Sequence, residues 1–314
     1  MEFDVSKRTI LKVKHGSHAY GLNVPTSDED FKGVCIKPRE FYFGCRKFEQ
    51  AEHMGSKSDG VDSVIYSIDK FVALALDCNP NIIEVLHVAD SDVLVIDEFG
   101  EELRERRNDF ISKKARFTFS GYAHAQLKRI KTHRAWLLNP PVAPPTREEF
   151  GLPTKGAPTA SELGAFVSLE EKGQLPEVPK HLVTLFVKEK AFRAECDHYA
   201  QFKSWEKSRN PARAELEAKF GMDTKHAMHL VRLMRMCVEI LDTGIVNVKR
   251  HDRDELLAVR YGKMSYDELI EHAECLEKKA DELYVTSKVR KEPDRKAMDR
   301  WLVDLTDRYL RKYG

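Results

Sequence analysis

The chain has 314 residues, 42% of them hydrophobic and 33% charged, which describes a folded globular protein and excludes a disordered or fibrous one. Its apolar runs, such as 71–76 and 93–96, fall far short of the roughly 18 residues that cross a bilayer, and Met1-Glu2-Phe3-Asp4 lacks the basic-then-apolar order of a secretion signal, so a cytoplasmic location is expected. Net charge is only +1 but unevenly spread: residues 1–110 carry 14 basic and 21 acidic side chains (net −7) and residues 111–314 carry 38 and 30 (net +8), an acidic portion suited to cations followed by a basic one suited to phosphates.

Six cysteines without a C-x-x-C pair argue against a zinc ribbon and give no disulfide framework; reduced, mostly packing thiols are expected. Strand signals fill the first hundred residues, at 10–13, 30–36, 41–43, 61–68 and 92–96. A helix over 68–77 stops at Asn79-Pro80-Asn81. From Phe99 onward the period becomes helical. Ser120 is the expected N-cap of a helix running to about Leu138, where a Pro-rich stretch must break it. Further helices are expected over 181–206, 211–220, 223–243, 265–284 and 293–312. The fold class that follows is α+β: a mixed sheet with flanking helices over residues 1–110, then a mainly helical domain over residues 111–314 with a Pro-rich insertion at about 139–180.

The stretch with chemistry in it is Gly16-Ser17-His18-Ala19-Tyr20-Gly21, followed by Ser27-Asp28-Glu29-Asp30. Phosphoryl transfer from a nucleoside triphosphate uses two divalent cations about 4 Å apart around the α-phosphorus, and hard cations take carboxylate oxygens. Asp28 and Asp30, spaced i and i+2, point to one face of a strand and suit that task, while Glu29 faces away. Gly16 permits close approach of backbone to phosphates, and Ser17 starts a short helix whose amides and hydroxyl suit the β- and γ-phosphates.

The run G-S-x-x-Y-G-x5-S-D-x-D-x-x-G resembles the signature of the DNA polymerase β superfamily nucleotidyltransferases, and in its fuller form the RlaP-like subfamily of RNA repair pathway nucleotidyltransferases. That resemblance implies a polymerase-β-type catalytic domain, two Mg²⁺ (or Mn²⁺) ions, a nucleoside triphosphate substrate, and a third carboxylate on a neighbouring strand that helps hold the catalytic metal and deprotonate the acceptor hydroxyl. Asp59, Asp62 and Asp69 are candidates. Asp62 is preferred, because strand alternation from Asp62 puts it on the face of Val64 and Tyr66. His15 stands where the superfamily has an apolar residue, and Asn79-Pro80-Asn81-x-x-Glu84-x-Leu86 matches the subfamily stretch after the third aspartate, with Glu84 as much structural as functional.

Two basic groups follow. Residues 113–134 hold Lys113, Lys114, Arg116, Lys128, Arg129, Lys131 and Arg134 with no acidic residue and with interleaved aromatics. Tyr122, Lys128, Arg129 and Lys131 are therefore candidate contacts to nucleic acid, against the alternative of an amphipathic helix with a basic solvent face. Lys225, His229 and Arg232 share one face of a later helix as a cationic stripe suited to the triphosphate tail, matching a K-H-x-x-H-x-x-R-L run of the subfamily; a plain surface stripe is the alternative. The resemblance thus implies transfer of a nucleoside monophosphate to a hydroxyl acceptor, with RNA 3′-ends favoured by the basic portion. Nucleotidylylation of a protein or small molecule, and a catalytically silent nucleotide-binding or antitoxin-like module, are the competing readings.

Overall fold

The computed structural model describes residues 3–53, 61–154, 168–169, 180–209 and 211–314. The chain divides into two units, residues 1–130 with 223–314, and residues 131–222.

The first unit is built on a five-stranded sheet of order β3-β4-β2-β1-β5, formed by β1 (Thr9–His15), β2 (Glu29–Cys35), β3 (Gln50–His53), β4 (Val61–Ser67) and β5 (Val93–Ile96). β2 and β4 run parallel and every other pairing is antiparallel, so the sheet is mixed. Helices α1 (Gly16–Tyr20), α2 (Glu40–Phe43), α3 (Ile68–Leu76), α4 (Pro80–His87) and α5 (Glu98–Glu105) are interspersed with the strands. Buried Leu11, Val13 and Val34 on the sheet lie in the same core as Ile68, Phe71, Ile82, Ile83 and Leu86 of α3 and α4. Beyond these come α6 (Ala115–Leu138), α9 (Thr224–Thr243), α10 (Arg253–Arg260), α11 (Tyr266–Thr286) and α12 (Arg295–Tyr313). Of the α/β and α+β classes that the pattern allows, the expected α+β class is the one observed.

Local chemistry sets most boundaries. Ser265 and Glu268 form a reciprocal capping box at the start of α11, and Asp223 accepts the His226 amide at the start of α9. Asn79 does more than stop α3: its side chain accepts the Asn81 amide and Pro80 fills the first helical position, so a second helix, α4, starts at once.

Three local expectations are corrected. Residues 41–43 form a helical turn rather than a strand, because the carbonyls of Pro38 and Arg39 accept the amides of Phe41 and Tyr42 at 3.0 Å each. The strand absent from the sequence reading is β3, a polar edge strand whose Gln-Ala-Glu-His lacks any apolar alternation. Ser120 lies inside α6, which begins at Ala115; it is buried, with its hydroxyl 3.7 Å from Cys237 Sγ. All six cysteines are free, with Cys35, Cys78 and Cys237 buried.

In the second unit, the tail of α6 joins α7 (Lys180–Ser208) and α8 (Pro211–Phe220). Trp136 donates to His198 Nε2 at 2.7 Å within an aromatic cluster that includes Phe202 and Trp205, and Glu189 receives Arg147 through both carboxylate oxygens. Most of the expected Pro-rich insertion lies outside the described residues. Among the described residues no helix is long and apolar enough to cross a membrane.

A partly buried base in α4 makes stability depend on pH. Burial, reinforced by the charges of Arg107 and Arg104, pushes His87 down to about 4. Between pH 6.5 and 4 the unfolded chain takes up a proton there and the folded chain does not, so the stability held above pH 6.5 is lost progressively as pH falls through that window. The loss from this residue is at most about 3 kcal/mol. Urea midpoints measured from pH 7 to pH 4.5 are expected to fall, and to fall less steeply in His87→Gln.

Candidate active site

β1 ends at His15 and the chain turns directly into α1, with Gly16 at φ +63°. This turn touches the acidic motif. A Cβ at Gly16 would stand 2.1 Å from Asp30 Oδ2 and 3.0 Å from its Cγ. Glycine is thus required twice over, by the left-handed backbone and by the carboxylate lying against it. Gly16→Ala is expected to lower stability by about 1–3 kcal/mol, because Asp30 must rotate away. Thermal melts of the variant against the unaltered protein test this.

Asp30, the second residue of β2, lies opposite His15 on β1 and opposite Asp62 on β4. Alternation puts His15, Asp30 and Asp62 in one cross-strand row on one face of the sheet, with laterally adjacent Cβ atoms about 5 Å apart. Asp28 lies two residues before Asp30 and is exposed, as is Asp62. Of the other candidates for the third carboxylate, Asp69 is held in an ion pair with Lys37 at 2.7 Å, and Asp59 lies outside the described residues.

The electrostatics tie the group together. Burial first, and then the charge of Asp62, raise the Asp30 carboxyl above its ordinary value; Asp28 adds to this, while Lys225 and Lys32 oppose it. A half-buried carboxylate beside two others makes a set of hard oxygen donors. The donor set therefore fits divalent cations.

Behind this row lies a buried polar network in which every member comes from a different motif. Glu84 on α4 is 1% exposed. Its Oε2 accepts the Tyr20 hydroxyl at 2.6 Å, its Oε1 accepts Arg232 Nη1 at 2.5 Å, and His15 Nε2 lies 3.3 Å from Oε2. The Arg232 guanidinium sits 3.8 Å from the centre of the Tyr20 ring. Burial pushes the Glu84 carboxyl up, but Arg232 together with His15 and Tyr20 brings it well below the carboxylate range. The unusual histidine at position 15 is thus accounted for by its place beside a buried acid. A second group holds the end of α1: the Arg250 amide donates to Tyr20 O at 3.0 Å and Arg253 Nε to Gly21 O at 2.6 Å, with Arg250 itself paired to Glu239 and Asp252. Periodicity gave no sign of Arg250 or Arg253.

The cationic stripe is corrected by this arrangement. Arg232 is turned inward onto Glu84 and Tyr20. Burial, with the charges of Arg232 and Lys225, pushes His229 well below the ordinary histidine value, so that it is neutral. Lys225, in the first turn of α9, is the member of the stripe whose charge acts on Asp30. Ser17 lies in α1, its hydroxyl without a hydrogen bond among the described residues.

The basic run before residue 134 divides in the same way. Lys113 donates to Tyr284 O, Lys114 pairs with Asp77, and Arg116 pairs with Asp281 and Glu277, so these three hold the fold together. Lys128 and Arg129 are exposed on α6, where Tyr122, 38% exposed, accepts from Asn79 Nδ2 at 3.1 Å. Lys131, also exposed, falls in the second unit.

Against known proteins, residues 2–137 match the RNA repair pathway DNA polymerase beta family, RlaP. The chain is also 28% identical over 130 residues to an uncharacterized 38.9 kDa protein of the nrdC–mobD intergenic region of Enterobacteria phage T4. That similarity covers 39% of this chain and 38% of the phage protein. No solved structure matches. The matched segment contains Gly16, Asp28, Asp30, Asp62, Tyr20 and Glu84, whereas Lys225 and Arg232 lie beyond it. Over residues 2–137 the chain is therefore similar to the RNA repair pathway DNA polymerase beta family, RlaP.

Proposed function

We propose that the protein transfers a nucleoside monophosphate from a nucleoside triphosphate to a hydroxyl acceptor, with an RNA 3′-end as the favoured acceptor. The observation that carries this is the Asp30–Asp62 register beside Gly16, with Asp28 two residues upstream. In this reading residues 1–110 are the catalytic domain, and residues 111–314 form the helical domain that lends it Lys225. Asp28, Asp30 and Asp62 hold two divalent cations, Mg²⁺ or Mn²⁺, which when bound polarise the α-phosphate and activate the acceptor hydroxyl.

The chain's own groups do the rest. Gly16 lets Asp30 and the phosphates share a narrow space, and the amides and hydroxyl at Ser17 donate to the oxygens of the phosphate tail. Asp62 takes the proton of the acceptor hydroxyl as its oxygen bonds to the α-phosphorus, while the bond to the bridging oxygen breaks and pyrophosphate leaves. Tyr122, Lys128 and Arg129 on α6 offer an aromatic face and two cations to a nucleic-acid strand.

Incubation with each labelled nucleoside triphosphate, Mg²⁺ and total cellular RNA, followed by separation of RNA from protein, tests the reading. Label at RNA 3′-ends is expected. Label on polypeptide would move the same chemistry to a protein acceptor, and no label anywhere would remove the assignment.

A further inference from the structure

The site holds a cation that neither the family motif nor the expected stripe includes. Lys32 lies two residues after Asp30 on β2, hence on the same face of the sheet, opposite Val13 on β1 and Val64 on β4. Val13 and Val64 are its cross-strand neighbours, one row along the strands from His15, Asp30 and Asp62. The charges acting on it are those of Glu84, Asp30 and Arg232.

Among the described residues Lys32 makes no hydrogen bond and no ion pair. The nearby Lys37 shows the usual fate of a buried lysine in this fold: its ammonium is 2.7 Å from Asp69. Glu84, the strongest charge acting on Lys32, is already occupied by Tyr20 and Arg232. Lys32 is only partly exposed, and an ammonium on this face with no hydrogen bond or ion pair among the described residues is left to take an anion that arrives.

Charge balance names the anion. Asp28, Asp30 and Asp62 against Lys32 and Lys225 leave the site negative by about one charge; two divalent cations turn it positive by about three, the complement of a polyphosphate.

We propose that Lys32 is a substrate-binding residue of the site, where its ammonium contacts the non-bridging phosphate oxygens of a bound nucleoside triphosphate. The proposal rests on the nucleotidyltransferase reading and adds to it a residue specific for the polyphosphate rather than for the base or the metal.

The test is equilibrium binding of full-length protein in Ca²⁺, with ATP, GTP, CTP and UTP compared with the matching nucleosides, alongside Mn²⁺ binding without nucleotide. Wild-type protein is expected to prefer triphosphates, and Lys32→Met to weaken triphosphate binding by tenfold or more. Nucleoside and Mn²⁺ binding are expected to be unchanged or, for Mn²⁺, tighter, because a nearby positive charge is gone. Lys32→Arg should keep most of the triphosphate affinity, and Lys32→Gln gives the neutral comparison should the methionine variant not fold. Folded Lys32→Met or Lys32→Gln with wild-type triphosphate affinity would overturn the proposal alone. Wild-type protein that binds no triphosphate would overturn the nucleotidyltransferase reading along with it.

Discussion

Asp30→Asn is expected to lower nucleotide transfer by at least about a thousandfold while leaving the protein as stable as before or more so. Asparagine keeps the shape of the side chain and removes the charge. On the proposed function it removes the carboxylate that lies between Asp28 and Asp62, and a metal-assisted transition state loses several kcal/mol, of which about 4 kcal/mol corresponds to that factor. The stability half follows from the raised Asp30 pKa. A carboxyl whose ionisation is harder in the folded chain than in the unfolded chain destabilises the fold at neutral pH. Replacing it with a neutral group relieves burial cost and repulsion together. A structural acid would behave in the opposite way, with stability falling and activity following. Single-turnover rates and thermal midpoints on Asp30→Asn therefore separate the two roles.

The second large effect is expected on folding. Arg232→Met leaves Glu84 charged, buried and short of its main partner, and a broken buried ion pair costs about 3–5 kcal/mol. Tyr20 remains as a donor and limits the damage. Glu84→Gln is expected to cost less than Arg232→Met, since the one amide oxygen keeps Arg232 as its donor and the Tyr20 hydroxyl can turn to accept from the amide nitrogen. The double variant should be more stable than the sum of the single losses requires, by 1 kcal/mol or more, on the order seen for residues sharing one network. Denaturant melts of the three variants measure this directly. Because Tyr20 belongs to α1, whose first residues are Gly16 and Ser17, folded Arg232 variants are also expected to lose activity. The sign with pH is fixed. Glu84 is held well below its ordinary value, so its contribution is present above about pH 4.5 and fades only as pH falls toward the folded value.

These two predictions draw on residues of unequal legibility. Gly16, Asp28 and Asp30 stand out because their spacing is local and the chemistry they suggest needs particular residue types, whereas Asp62 is a candidate only through the family resemblance. The parallel register of β2 and β4 that sets Asp62 opposite Asp30 is a long-range pairing that alternation within each strand does not give. Glu84 and Arg232 stand 148 positions apart. Each was noticeable within its own motif, but helical periodicity gives the face of Arg232 and not the direction that face looks, so a stripe for the triphosphate tail and a plain surface stripe are the readings it offers. Lys32 was passed over for a related reason: a lysine after two aspartates looks like ordinary surface charge until the strand pairings set it between Val13 and Val64, one row along from them. β3 escaped because an edge strand of polar residues has no periodic signal, and residues 41–43 misled because aromatic residues favour strands in general while Pro38 and Arg39 close a turn locally. The unit boundary near residue 130 also has no local mark. The chain leaves the first unit there and returns at Asp223, a long-range fact that composition does not encode.

The central claim is that Asp28, Asp30 and Asp62 form one divalent-cation site built for a nucleoside triphosphate. Mn²⁺ titration followed by electron paramagnetic resonance, with and without a non-hydrolysable triphosphate, addresses it without reference to any acceptor. The account predicts Mn²⁺ binding by the wild-type protein that tightens when the triphosphate is present, and loss of both the binding and the tightening in the double variant Asp28→Asn, Asp30→Asn. Equal Mn²⁺ binding by the folded double variant and the wild-type protein would contradict it.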